Sequence, residues 1–206
     1  VSGGLLTMVK EESFIHLNVV SGYSFQCGTA MPHQLVERAG EFRMSALALT
    51  DRDGFAGGVR FLQACAREGI SPIVGSNLAY SADGVRERRK SPAHGGVRVE
   101  SALPRVTLLA RNSWKGLARL ISTIHSQQDR GVPILTRNFL QEGLNFSILL
   151  GADSNVAHAL SRRRPDLAAE HLREWREIAG EHIVIECVSH FHREGIWSVE
   201  GAARLF

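Results

Sequence analysis

A chain of 206 residues, 44% hydrophobic and 22% charged with a net charge of +3, has an ordinary globular composition and room for one substantial core and at most two domains. Nothing in it resembles a signal peptide, and no apolar run reaches the roughly eighteen residues of a spanning helix, which argues against a membrane role. Three scattered cysteines, Cys27, Cys65 and Cys187, exclude a disulfide framework or a Cys-x-x-Cys zinc site and point to a reduced, cytoplasmic compartment.

In chain order, the first strand pattern is Phe14–Val19 in "FIHLNVVSGYSF", where a period of two sends His16, Asn18 and Val20 to one side. Pro32 then opens a helix through "HQLVERAGEF", at a position where its missing N–H costs nothing. A strand over Ala46–Leu49 is followed by "GGVRFLQACAREG", a helix with Val59, Leu62 and Ala66 at helical spacing and Gly69 as its stop. Cys65 on that helix reads as core. Pro72–Val74 is the third strand.

Residues 81–104 form a long excursion rich in Gly, Arg and Ser. From Ala82 to Arg105, the six cations Arg86, Arg88, Arg89, Lys90, Arg98 and Arg105 outnumber Asp83, Glu87 and Glu100 by three, the whole chain's excess. A basic, mobile, solvated loop is the plain reading. A phosphate-backbone contact through Arg86, Arg88, Arg89 and Lys90 is the sharper one.

Beyond it come a strand over Val106–Ala110 and a helix in "NSWKGLARLISTIH", with Asn112 as N-cap and a stripe of Trp114, Leu117, Leu120, Ile121 and Ile124. Strands over Phe146–Leu150 and Ile183–Val188 flank a helix from Pro165 to Gly180. The run Arg162, Arg163 and Arg164 suits a helix end. Trp114 and Trp175 read as helix anchors. Strand and helix in alternation predict an α/β fold with a mostly parallel sheet or barrel.

The expected carboxyl ends of the strands read "HLNVVSGYSFQCGT", "LALTDRDGFAGG", "PIVGSNLAY" and "RVTLLARNSWKGLARLIST". In that order and spacing they resemble the PHP (polymerase and histidinol phosphatase) domain of bacterial C-family DNA polymerase III alpha subunits, replicative or error-prone. The resemblance runs from about Phe14 to Phe206 and implies one PHP-like domain over 1–206, a distorted (β/α) barrel. "SVEGAARLF" opens a helix with Ser198 as N-cap, so the barrel lacks its last strand and looks truncated relative to the family.

The family's intact site binds a small metal cluster through His, Asp, Glu and Cys. His-x-His on a strand sets two imidazoles about 6.6 Å apart on one side. A bridged water then serves as nucleophile for phosphoester hydrolysis. Carried over, the His-x-His falls on Asn18 and Val20, the next acidic ligand on Cys27, and the His of Thr-Asp-His on Arg52, while Asp51 survives. The Glu after the third strand falls on Asn77, the fourth-strand His on Arg105, and a later Cys, more loosely, on Ala152. Two arginines that cannot shed their protons would repel a cation cluster. The resemblance therefore implies a degenerate pocket, with no metal, no cofactor and no catalytic residue.

Other readings stay open. His16, Cys27, Asp51, Asp53, His190 and His192 are the remaining ligand types; for His190 and His192 a turn is expected, for Asp51 a salt bridge to Arg52 or Arg105, and for Asp53 a turn before Gly54. The principal functional expectation is a non-catalytic scaffold in DNA replication or repair synthesis, inactive alone and partnered by a polymerase core or a proofreading exonuclease. A weak DNA backbone contact, and self-association through the open barrel edge beside Ile183–Val188, are further expectations. The alternatives are a stand-alone metal-dependent phosphoesterase, and an anion site built on His16, Arg52 and Arg105.

Overall fold

The computed structural model describes residues 14–82, 103–127, 133–140 and 145–187. Arg86, Arg88, Arg89, Lys90, most of the 81–104 excursion, His190, His192 and the helix expected from Ser198 lie outside the described residues.

The elements are α1 (Pro32–Glu41), β1 (Ala46–Leu49), α2 (Gly58–Glu68), β2 (Ser71–Tyr80), β3 (Arg105–Ala110), α3 (Trp114–Ser126), β4 (Ile134–Leu135), β5 (Phe146–Leu150), α4 (Asn155–Ser161), α5 (Pro165–Ala179) and β6 (Ile183–Ile185). Short 3-10 turns cover Arg137–Leu140 and Gly180–His182. The sheet has the order β1-β2-β3-β5-β6, with β4 paired to β2. The α/β class holds, and among the described residues the sheet is mostly parallel, five of its six strands running the same way with β3 alone reversed. The pairs β1–β2, β2–β4 and β5–β6 are parallel, whereas β3 runs antiparallel to both β2 and β5. An antiparallel neighbour needs no crossover helix, and the link before β3 is the one without a helical pattern in the sequence.

Period-2 alternation gives the sheet two faces. On one, Leu78, Tyr80, Leu108, Ile148 and Leu150 pack with Leu117, Ile121 and Ile124 of α3 and with Trp175 of α5. Trp175 is 1% exposed, lies 4.4 Å ring to ring from Tyr80, and donates its indole N–H to Asn155. A second cluster joins α1 and α2 to β1 through Val36, Ala39, Leu47, Leu49, Phe61 and Cys65. The opposite sheet face carries a polar row that includes Asn77 and Thr107.

Four local readings change. The Phe14–Val19 segment is extended but is not a strand. It lies along β1, with Ala48 N–H donating to His16 O and Thr50 N–H to Val19 O. Three residues of the segment thus span two of β1, so the alternation slips as at a bulge. On α2 the buried side is Phe61, Ala64 and Cys65, while Val59 is 61% exposed and Ala66 is exposed; the helix turns to bury its largest apolar group. Ser113, not Asn112, caps α3, its hydroxyl accepting from Lys115 N–H. On α3, Leu117, Ile121 and Ile124 are buried, but Trp114 is 41% exposed against Phe55.

Candidate functional site

The polar face of the sheet forms the floor of a cavity of about 300 Å³. Asn77, Thr107 and Leu149 lie in one register row across β2, β3 and β5, and Arg105 joins them two residues along β3. Because β3 is reversed, its first residue reaches the cavity; the parallel strands contribute residues just past their carboxyl ends. Arg52 comes after β1, Gly151, Ala152 and Asp153 after β5, and Glu186 after β6. Asn18, Val20 and Cys27 close the remaining side.

Six of the seven residues singled out as pocket positions, Asn18, Val20, Cys27, Arg52, Asn77 and Arg105, therefore line one cavity, with Ala152 beside them. Asp51 lies behind it, 3% exposed. Its carboxylate accepts from Ser21 N–H (2.7 Å), from the Ser21 hydroxyl (2.8 and 3.0 Å) and from the Ser24 hydroxyl (2.7 Å). The expected salt bridge from Asp51 to an arginine is replaced by these serine donors, which tie the 21–24 loop to the end of β1. The ion pair belongs to Asp53, whose Oδ1 lies 2.6 Å from Arg105 Nη2. Asp53 is also a turn residue, with φ of 57° before Gly54.

Arg105, only 7% exposed, further donates from Nε to Asn77 Oδ1 (2.6 Å) and from Nη2 to Asn77 O (2.8 Å). Asn77 Nδ2 in turn donates to the Thr107 hydroxyl. Arg52 Nη1 lies 2.9 Å from Cys27 Sγ at the mouth. His16 is exposed, stacks edge-on against Phe14, and is not part of the cavity lining. The grouping of His16 with Arg52 and Arg105 is thus not brought together, because the slip along β1 carries His16 out of phase.

Two lining carboxylates, Asp153 and Glu186, escaped the sequence reading. Asn18 joins them to the rest: its Nδ2 donates to Glu186 Oε2 (2.9 Å) and its Oδ1 accepts from the Thr50 hydroxyl (2.7 Å). A Cβ at Gly151 would stand 2.6 Å from that same Glu186 oxygen, so glycine leaves the space the carboxyl fills. Burial pushes the Glu186 carboxyl above its usual range, the Asn18 hydrogen bond pulls it back, and the Asp153 charge adds to the rise. The only signal for Glu186 was its place one residue past a strand. The lining thus carries two guanidinium and two carboxyl groups.

That donor set does not fit a metal cluster. Asn18 and Val20 offer no imidazole, Arg105 places a fixed cation among the strand ends, and among the described residues no group of three or more His, Cys, Asp or Glu is positioned to hold a metal.

The fold and cavity define an α/β protein whose polar site lies at the strand ends, and the model of the PHP domain family matches residues 16–190. The chain belongs to the PHP domain family. It is 30% identical over 187 residues to an error-prone DNA polymerase of Mycobacterium tuberculosis, covering 87% of this chain and 16% of that protein. It is 26% identical over 184 residues to a DNA polymerase III subunit alpha of Buchnera aphidicola, covering 86% of this chain and 15% of that one. The chain therefore spans about a sixth of the length of the curated relatives it matches. Among solved structures, an amidohydrolase from Chromobacterium violaceum aligns with a TM-score of 0.39 at 19% identity, over 80% of this chain and 51% of that one.

Proposed function

We propose that the chain is the PHP domain of, or a close relative of, a C-family DNA polymerase, and that it serves DNA replication or repair synthesis as a non-catalytic scaffold. The observation that carries this is the 30% identity to an error-prone DNA polymerase over 87% of the chain. In this reading residues 1–206 are one PHP domain, a distorted barrel, working in the cytoplasm. Its surfaces hold a polymerase core or a proofreading exonuclease, and β6, an edge strand of the sheet among the described residues, offers a route to self-association. Asn18, Val20, Cys27, Asp51, Arg52, Asn77 and Arg105 are the remains of a metal pocket, and no cofactor is assigned.

Internal bonding at the pocket favours the scaffold over the two alternatives. A phosphoesterase needs metal ligands where Asn18, Val20 and Arg52 stand. An anion site needs uncommitted positive charge, yet Arg105 is bonded to Asp53 and Asn77, and Asp153 and Glu186 line the same cavity.

The test pairs metal analysis of the purified chain with a phosphomonoester assay in added manganese or zinc, and with co-purification against a C-family polymerase core and its exonuclease. Neither stoichiometric metal nor turnover, together with a retained partner, is expected. Metal-dependent turnover, or a monomer that retains neither partner, overturns the reading.

A further inference from the structure

Helix α3 has an unusual charge pattern. Residues 103–127, which contain β3 and α3, include no Asp or Glu. By contrast α1 carries Glu37 and Glu41, α2 carries Glu68, and α5 carries Asp166, Glu170, Glu174 and Glu177. With Leu117, Ile121 and Ile124 turned to the sheet, α3 presents Lys115 and Arg119, both exposed, one helical turn apart on its outer side. Ser122 and Ser126 continue the exposed surface with hydroxyl groups, that of Ser126 donating to Thr123 O. Exposed Arg111 stands just before the helix and contacts His182, which anchors a third cation at that end.

Three surface arginines elsewhere are paired, Arg38 with Glu41, Arg137 with Glu177 and Arg164 with Asp166. Among the described residues, neither Lys115 nor Arg119 makes an ion pair. No carboxylate at i±3 or i±4 on α3 neutralises either charge. A solvated helix face ordinarily mixes both signs; a line of one sign with hydroxyls between is complementary to a polyanion.

We propose that the outer face of α3, with Arg111, Lys115 and Arg119, binds the sugar–phosphate backbone of single-stranded DNA. A single line of cations follows one strand rather than two. The half-exposed Trp114, next to Lys115 in the chain, supplies an aromatic ring of the kind on which unpaired bases stack. The contact involves none of the residues that line the cavity. It deepens the DNA-synthesis reading and rests on it for the identity of the polyanion.

The experiment measures fluorescence anisotropy of a labelled oligothymidylate with the 206-residue chain across a potassium chloride series. Lys115→Glu with Arg119→Glu is compared with Arg60→Glu with Arg67→Glu, an equal charge reversal on exposed positions of α2. Far-UV circular dichroism checks folding, and Lys115→Gln with Arg119→Gln repeats the test with milder change. Loss of at least tenfold in affinity for both α3 variants, with the salt slope of the glutamine variant reduced by about 1.4 for two lost single-strand phosphate contacts, is expected. An equal loss in the α2 variant overturns the proposal. So does tighter binding of duplex than of single strand, or equal binding of poly-glutamate at matched charge. Partner co-purification by the same α3 variants separates the two readings: retained partner with no DNA binding in the unmodified chain sinks this inference and leaves the scaffold standing.

Discussion

Arg105 carries a charge it cannot lose into a place where only 7% of its surface meets water, and Asp53 and two oxygens of Asn77 surround it. Its removal leaves a carboxylate and an amide facing each other without the cation between them. Arg105→Met is expected to lower stability by about 2–3 kcal/mol in urea titration, below the range for a fully buried pair because the Asp53 side chain is 27% exposed. Glu186 behaves in the opposite sense. Its folded pKa is raised, so its contribution to stability is fully present below the unfolded value and is lost as pH rises through the folded one. Glu186→Gln keeps an acceptor for Asn18 and removes the buried charge. Its urea midpoint relative to the parent is expected to be higher at about pH 8 than at about pH 4, on either side of the usual carboxyl range. A difference independent of pH would show that the carboxyl titrates normally.

At the scale of elements, Gly75 of β2 lies opposite Leu109 of β3. A Cβ there would stand 2.6 Å from Leu108 O and 2.8 Å from Thr50 Cγ2. Backbone cannot retreat as a flexible side chain can, so Gly75→Ala is expected to cost about 2–3 kcal/mol by overpacking, measured as a lowered thermal midpoint. Ala46–Leu49 and Phe146–Leu150 were legible to the residue, being short apolar runs with polar or turn residues at their margins. The direction of β3 was not, because alternation marks a strand without orienting it. Of helix α4 only the end was read, where the run Arg162–Arg164 follows Ser161; over seven residues periodicity has little to repeat, and its cap, the Ser154 hydroxyl accepting from Ala157 N–H, went unread. The buried side of α2 was misread because Val59, Leu62 and Ala66 are as regularly spaced as Phe61 and Cys65, and side-chain size decides between two stripes.

Across the whole molecule, the site was more legible than the sheet that carries it. Motif order brought Asn18, Val20, Cys27, Arg52, Asn77 and Arg105 to one cavity although the strand-direction argument was partly wrong. A motif spacing survives a reversed strand as long as the residue stays at the same edge of the sheet. Asp153 and Glu186 were invisible because their role comes from three-dimensional closure around Asn18, not from a spacing. The Asp51 partnership failed for a related reason: two nearby arginines suggest a bridge, yet the serines of the 21–24 loop reach the carboxylate first.

The segment from His16 to Val19 laid against β1 has a consequence for synthesis. It precedes in the chain the strand it covers, so the partners of the Ala48 and Thr50 N–H groups are already synthesised when those groups leave the ribosome. In the folded chain those groups are not offered bare to a neighbouring chain, the circumstance in which unpaired strands aggregate.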